Sequence, residues 1–365
     1  MVDTAVTRRR FLELIGATGA AMAVPRLGFA KPRQVAFVKR AGTQLVVAGT
    51  PWKLYGGSNY GTLNPGGQGT IAGLTTLAIQ ARLNTVRLVN YLDERGLNSS
   101  APYDDTSWRR VDAALDSLRS NGLRAILDLS TYRNHLQNFA LNNSSTVTPY
   151  SADWSQFIRF VATRMNTVNK LRYKNDPTIA IVSFAGEPNP PNSGEPLKPT
   201  TQELTDFYRR VFTQWRAVDP NHLLSPGGFL HLDWEERFGN PSGSGIDWRA
   251  IFALSMNDVP AIHNYGLSSN PATDFVSPKI APYCAQIGKP WITEEFGFTQ
   301  FEDDDTRSGH YQAVYDIQAQ YGSAGVAFWN LGNEVVAPGV EPTTFDVNPN
   351  RPLTWAVVQN NAPAS

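Results

Sequence analysis

Short apolar runs of strand character alternate along the chain with longer stretches whose apolar positions recur at helical spacing, the pattern of parallel strands joined by crossover helices. Strands are predicted at 54–59, 85–89, 124–129, 179–184, 223–226, 260–265, 291–296 and 326–329. Eight is the number that closes a barrel, so the expected fold class is α/β, a single (β/α)8 TIM barrel. The helical stretches carry their own start and stop signals. Over 108–120, Val111, Ala114, Leu115 and Leu118 share one face, Ser107 precedes the run as N-cap, and Gly122 stands just past its end. A second helix is predicted over 154–168, with Asp153 as N-cap and Phe157, Ile158, Val161 and Met165 on its apolar face; a third covers 203–218. The segment 188–201, rich in Pro, Asn and Ser, directly follows the fourth predicted strand, where a barrel carries site-forming loops.

Residues 1–30 stand outside this pattern. Arg8-Arg9-Arg10 precedes an apolar, small-residue run from Leu14 to Val24, and Gly28-Phe29-Ala30 offers small residues for cleavage, the layout of a twin-arginine export signal. The run is too short for a membrane span, which needs roughly 20 apolar residues. The expectation is an exported protein, secreted or periplasmic, with no membrane attachment once the signal is removed. Residues 31–365 contain no Ser/Pro/Gly linker and read as one domain, acting as a monomer. The 32 basic and 32 acidic residues balance, and no Lys/Arg block could follow a phosphate backbone, which excludes nucleic acid and anionic membranes as partners. Cys284 is the only cysteine, which excludes an internal disulfide and a thiolate metal cage. Nine tryptophans and 13 tyrosines, against 18% charged residues, supply flat faces of the kind that stack on sugar rings, although core packing uses most of them.

Polar residues gather at the C-terminal ends of the predicted strands, the end at which (β/α)8 barrels build their sites. The fourth strand runs into Ala185-Gly186-Glu187-Pro188-Asn189, and the seventh reads Trp291-Ile292-Thr293-Glu294-Glu295-Phe296-Gly297, so both deliver a glutamate. Two carboxyls across a cleft are what glycoside hydrolysis requires, one to protonate the leaving oxygen and one to attack the anomeric carbon. A strand-end glutamate taken singly is as often plain surface; the pair, at these two strands, carries the argument. Gly194-Glu195-Pro196 repeats the tripeptide in the polar loop with no strand before it, so Glu195 is expected to be solvated. Side chains alternate along a strand, so Glu294 and Glu295 are expected to point opposite ways, and alternation alone leaves open which of them faces the barrel axis.

From the first strand to the eighth, the chain resembles glycoside hydrolase family 5, retaining enzymes built on (β/α)8 barrels, with the order of landmarks nearest the β-mannanase branch. The resemblance implies that Glu295, the glutamate before Phe296-Gly297, is the nucleophile and that Glu187 is the acid/base. It implies that Arg87, in Asn84-Thr85-Val86-Arg87-Leu88, hydrogen-bonds the nucleophile; an arginine is charged at every accessible pH and would hold that carboxylate ionised. His263 and Tyr265, at i and i+2 on the sixth strand, would share a face, the tyrosine donating to the nucleophile and the histidine lining the same subsite. Trp329 would form the platform beneath the sugar at the cleavage point, and Asn59, near the end of the first strand, is expected to line the pocket. No cofactor is implied, and sequence spacing offers no carboxylate/His cage for a metal.

Two positions depart from the family pattern. Gly186 stands where the family usually has an asparagine that contacts the sugar 2-hydroxyl, and His135 lies further along than the histidine many members carry after the third strand. The expected activity is hydrolysis of β-1,4-linked mannan or manno-oligosaccharides by retaining double displacement, with exo-acting β-mannosidase and β-1,4-glucanase as alternatives within the family. A non-catalytic carbohydrate-binding barrel is countered by the presence of both glutamates and Arg87. A dinucleotide-dependent oxidoreductase is countered by the lack of a Gly-rich turn after the first strand.

Overall fold

The computed structural model describes residues 36–64, 69–239, 243–265, 274–299, 301–332 and 345–363, so the expected export signal lies outside the described residues. Three short strands that the apolar pattern did not announce come first: β1 (Val38–Ala41), β2 (Gln44–Val47) and β3 (Thr50–Trp52), paired antiparallel in chain order. The eight expected strands follow as β4 (Leu54–Asn59), β5 (Thr85–Leu88), β6 (Arg124–Asp128), β7 (Ile179–Ser183), β8 (Leu223–Ser225), β9 (Ala261–His263), β10 (Ile292–Glu295) and β11 (Gly325–Phe328). All pair in parallel, in the order β8-β7-β6-β5-β4-β11-β10-β9. The two outer strands meet through Phe229, just past β8, whose N–H donates to Ala261 O (3.1 Å) and whose carbonyl accepts from His263 N (3.1 Å). The barrel is thereby closed.

Strands buried on both faces must be apolar on both, which is why the barrel strands read as near-continuous hydrophobic runs. One set of side chains fills the interior: Leu54, Ile126, Ile181, Leu223, Ala261, Ile292 and Ala327, joined by Val38 and Leu45 of the β1–β2 hairpin, which pack into the same cluster. The other set, including Val86, Leu127, Val182, Leu224 and Phe328, packs outward against helical residues such as Trp108, Leu115, Phe157 and Phe212. Two positions beyond Ile126, Ile181 and Ile292, alternation returns the chain to the interior face at Asp128, Ser183 and Glu294. The apolar layer of the barrel is thus roofed by polar side chains at its C-terminal end.

The helices begin and end where local hydrogen bonds dictate, and this corrects three sequence expectations. The helix Asp105–Ser120 starts two residues before Ser107, because the Asp104 carboxylate accepts from Ser107 N (2.8 Å); Ser107 is a buried residue of the first turn. Gly122, at φ +72°, does follow its end. The second helix spans only Ser155–Thr163, with Asp153 accepting from Ser155 N and Oγ (2.9 and 2.7 Å). It stops short of Val168 because Arg164 turns away to a bidentate pair with Asp112 (3.0 and 2.8 Å), leaving Met165 46% exposed. The third, Thr201–Arg216, opens on a reciprocal capping box between Thr200 and Glu203.

Candidate active site

The ends of β5, β6, β7, β9, β10 and β11 converge on one open cavity of about 130 Å³, lined by Arg87, Asp128, Glu187, His263, Glu295 and Trp329, with Tyr60, Asn90, Glu94, Ser130 and Arg133 around them. Glu187 presents a side chain 40% exposed to this space, whereas that of Glu295 is 9% exposed. One carboxylate oxygen of each, together with a ring nitrogen of His263, lies within a 4.8 Å circle of mutual distances. His263 Nδ1 stands 2.7 Å from Glu187 Oε1 and 3.4 Å from Glu295 Oε2. The Tyr265 hydroxyl donates to Glu295 Oε2 (3.0 Å), and Arg87 forms hydrogen-bonded ion pairs with both Glu295 and Asp128.

Glu294 corrects the alternation argument. Thr293 points outward, its hydroxyl donating to Gln318 of the helix Asp304–Gln320 (2.6 Å), so Glu294 points into the barrel, where Oε2 accepts from Gly228 N (2.7 Å). Strict alternation would then send Glu295 outward with Thr293. Instead the β9–β10 register shifts between Thr293 and Glu295, two residues of β10 advancing against one of β9, and this bulge turns Glu295 into the cleft as well. Both neighbours therefore face the same charge network, Glu294 behind and Glu295 in front.

A glycine corner holds this arrangement. Glu187 N donates to Gly228 O (2.8 Å), and Gly186 N donates to Ser130 Oγ (2.9 Å). Gly227 adopts φ +90°, and a Cβ on it would lie 2.3 Å from Gly186 N; a Cβ on Gly228 would lie 1.6 Å from His263 Cδ2. Neither position admits a side chain. Glu187 itself sits at φ +51°, a conformation that costs a non-glycine residue about 1–3 kcal/mol and persists only where surrounding contacts impose it.

Four carboxylates, Asp128, Glu187, Glu294 and Glu295, surround two cations, Arg87 and His263, in a largely buried space. Burial opposes the His263 charge, but Glu295, Glu187 and Glu294 outweigh it and push its pKa up to about 10. Burial also works to raise Glu187, yet the hydrogen bond and charge of His263, with Arg133 and Arg87 behind, hold its carboxyl below the ordinary range. Its exposure to the cleft screens part of that pull. Glu295 is raised, by burial first and by repulsion from Glu187, against the opposing pull of His263 and Arg87. In the open site, the shared proton of the Glu187–His263 pair therefore sits on the imidazole.

Trp329 is half-buried on the cavity wall, its ring 5.6 Å from that of Tyr60. Asn59 is placed differently from its expectation: buried, its amide donates to Leu331 O (2.9 Å), and its neighbour Tyr60 lines the cavity instead. His135 faces Asp93 O (3.1 Å) from a buried position in the helix Ser130–Asn142, and Glu195 is exposed on the rim of an adjoining cavity. Sequence reasoning missed Asp128, Glu94 and Arg133. Asp128 was legible as a polar strand end, two positions beyond Ile126, the register partner of Arg87 on the neighbouring strand. Glu94 and Arg133 lie beyond the strands, where periodicity says nothing. Arg133 donates to Gly186 O (3.0 Å), and Glu94, paired with Asn134 (3.1 Å), is pushed up to about 7 by burial.

A family model for cellulase (glycosyl hydrolase family 5) matches residues 46–335. A mannan endo-1,4-beta-mannosidase 1 of Oryza sativa subsp. japonica is 24% identical over 355 residues, covering 84% of this chain and 79% of its own. The endo-1,4-beta-mannanase of Rhizomucor miehei superposes with a TM-score of 0.72 at 22% identity, covering 90% of this chain and 98% of its own. A glycoside hydrolase family 5 mannosidase of the same organism superposes with a TM-score of 0.65 at 19% identity, covering 90% and 97%.

Proposed function

The chain belongs to glycosyl hydrolase family 5, and from that premise we propose that it hydrolyses β-1,4-linked mannan or manno-oligosaccharides with retention, Glu295 attacking and Glu187 serving first as acid and then as base. The observation that carries the proposal is the pair of carboxylate oxygens within 4.8 Å, with Arg87 and Tyr265 donating to Glu295 and not to Glu187. Retaining enzymes hold their carboxyls about 5–5.5 Å apart, and inverting ones roughly 6.5–9.5 Å, to admit a water between them. In the first step, a Glu295 oxygen bonds to the anomeric carbon as the glycosidic C–O bond breaks, and the leaving oxygen takes the Glu187 proton. That proton reaches the carboxyl from His263 Nδ1, along the 2.7 Å contact, before the first step, and goes back to the imidazole after the second. In the second step, water gives a proton to Glu187, attacks the anomeric carbon and frees Glu295. A proton NMR time course on a β-linked substrate is expected to show the β-anomer first; the α-anomer as initial product would refute the reading.

Mannan as the substrate is supported by the mannanase and mannosidase activities of the rice and Rhizomucor relatives, and the ring pair Tyr60–Trp329 supplies aromatic surface for a sugar. The cellulase name of the family model keeps β-1,4-glucan as the competing substrate. Mannose and glucose differ in where the 2-hydroxyl points, and Gly186 has no side chain to meet it. A Cβ there would lie 3.3 Å from both Ser130 Oγ and Gly228 N, closer than ordinary contact, so an added side chain must push these neighbours back by a few tenths of an ångström. Accordingly, β-mannosides are expected to exceed matched β-glucosides in kcat/KM by about 10-fold or more, and Gly186→Asn to lower activity. Equal use of the glucoside would refute the substrate assignment, and a gain in Gly186→Asn would refute the crowding argument. The paired arginines before Leu14 support export by the twin-arginine route to the periplasm or beyond, where such a polymer is met.

A further inference from the structure

Glu294 takes no part in the two-glutamate chemistry, yet it is fully buried behind it. Its Oε2 accepts from Gly228 N (2.7 Å) and lies 3.6 Å from His263 Nε2, while its Oε1 lies 3.7 Å from Arg87 Nε. Among the described residues, Glu294 Oε1, His263 Nε2 and Arg87 Nε find no hydrogen-bond partner, so what joins them is charge at ion-pair range. A carboxylate so deeply buried is tolerated only beside compensating cations, and the nearest are the two that touch Glu187 and Glu295.

We propose that Glu294 is a positioning residue for the hydrolysis: from the side opposite Glu187 it holds His263 as an imidazolium with Nδ1–H aimed at Glu187, and it steadies Arg87 against Glu295. The proposal rests on Glu187 and Glu295 being the reacting pair. During double displacement Glu295 becomes an uncharged ester, and Glu187 gains or loses a proton at each step. Glu294 alone among the three carboxylates near the imidazole keeps its charge throughout, so it is the constant counter-charge that draws the proton back to His263 each time Glu187 releases it. The charged or titratable groups around the ring are Glu187 after β7, Glu294 and Glu295 on β10, Arg87 on β5 with Asp128 on β6 beyond it, and Tyr265 following β9, while Arg133 and His231 face Glu187 and the segment after β8 brings to the ring only the backbone of Gly228. Burial opposes the imidazolium and the carboxylates overcome it.

Glu294→Gln is the direct test, since glutamine matches the shape and can still accept from Gly228 N while the charge is gone. The alkaline limb of kcat/KM is expected to fall by about one pH unit or more, with kcat lower by about 10- to 100-fold and KM within about 3-fold. Glu294→Asp, which keeps the charge, is expected to restore most of the alkaline limb. A merely structural role would lower the melting temperature and leave the limb in place. In the wild-type enzyme, nitrogen-15 NMR of His263 is expected to show both ring nitrogens protonated at pH 7. An unshifted limb in folded Glu294→Gln overturns the proposal, and so does a neutral His263 signal at pH 7; the latter, with the aspartate variant, decides the matter should the glutamine variant not fold. Full activity of both Glu187→Gln and Glu295→Gln would instead remove the underlying assignment, and the His263 signal would still report on the clamp itself.

Discussion

Glu295→Gln is expected to lower kcat/KM on every substrate by about 10⁴- to 10⁶-fold, the scale on which removal of a covalent nucleophile acts. The amide cannot form the glycosyl ester, and Arg87 and Tyr265 lose the carboxylate they are arranged to meet. Glu187→Gln should behave differently, and the difference identifies the roles. Its loss removes acid assistance, worth about 10²- to 10⁴-fold for a sugar leaving group and much less for an aryl glycoside whose phenol departs unaided. With an activated aryl β-mannoside, Glu187→Gln should therefore show a rapid first burst of phenol followed by a slow steady state, because the base for the second step is also missing. Stopped-flow release of the phenol at pH 6–7, an ordinary working range, reads both phases. Glu295→Gln with wild-type turnover, or loss of the burst in Glu187→Gln together with a burst in Glu295→Gln, would exchange or abolish the two assignments.

Much of the architecture was legible because the property that makes a barrel strand, apolarity on both faces, is written in consecutive residues, as in Ile179-Ala180-Ile181-Val182. Arg87, Glu187, His263 and Glu295 were legible because they stand at the ends of such runs. The geometry between them was not. Alternation assumes an unbroken pleat, and the shift between Thr293 and Glu295 that brings both glutamates inward has no glycine or proline to mark it. Asn59 read as a strand-end polar group, but its amide was claimed by a carbonyl 272 positions further along the chain, a contact that no local pattern encodes. The β1–β3 meander escaped notice because its strands are short and mixed in polarity; only Val38 and Leu45 enter the core. Asp104 outcompeted Ser107 as a cap because both are good caps and the choice depends on where the preceding loop delivers the chain.

In the Pro226-Gly227-Gly228-Phe229 segment that follows β8, Gly228→Ala is expected to be among the most damaging single-methyl changes in the molecule. The backbone at Gly228 is pinned on both sides, its N–H donating to Glu294 and its carbonyl accepting from Glu187 N, so it cannot retreat. A methyl group there would stand 1.6 Å from His263 Cδ2 and 2.2 Å from Nε2, well inside van der Waals contact. The imidazole must swing away, and with it go the contacts to Glu187, Glu294 and Glu295 that set the protonation of the site. Overpacking of this kind costs about 1–3 kcal/mol in stability, which lowers the melting temperature by a few degrees. The loss in kcat should be larger, about 10²- to 10³-fold, because a displacement of about 1 Å in a catalytic constellation already has consequences on that scale. Gly322→Ala is the control: Gly322 also adopts a positive φ, +65°, but a Cβ there meets nothing within 4 Å. It should lose comparable stability through backbone strain while keeping kcat/KM within about 3-fold. Measured side by side, kcat and melting temperature separate the two effects. Near-normal kcat in Gly228→Ala would mean that His263 can leave its position without cost, and the coupling of the glycine corner to the glutamate pair would have to be abandoned.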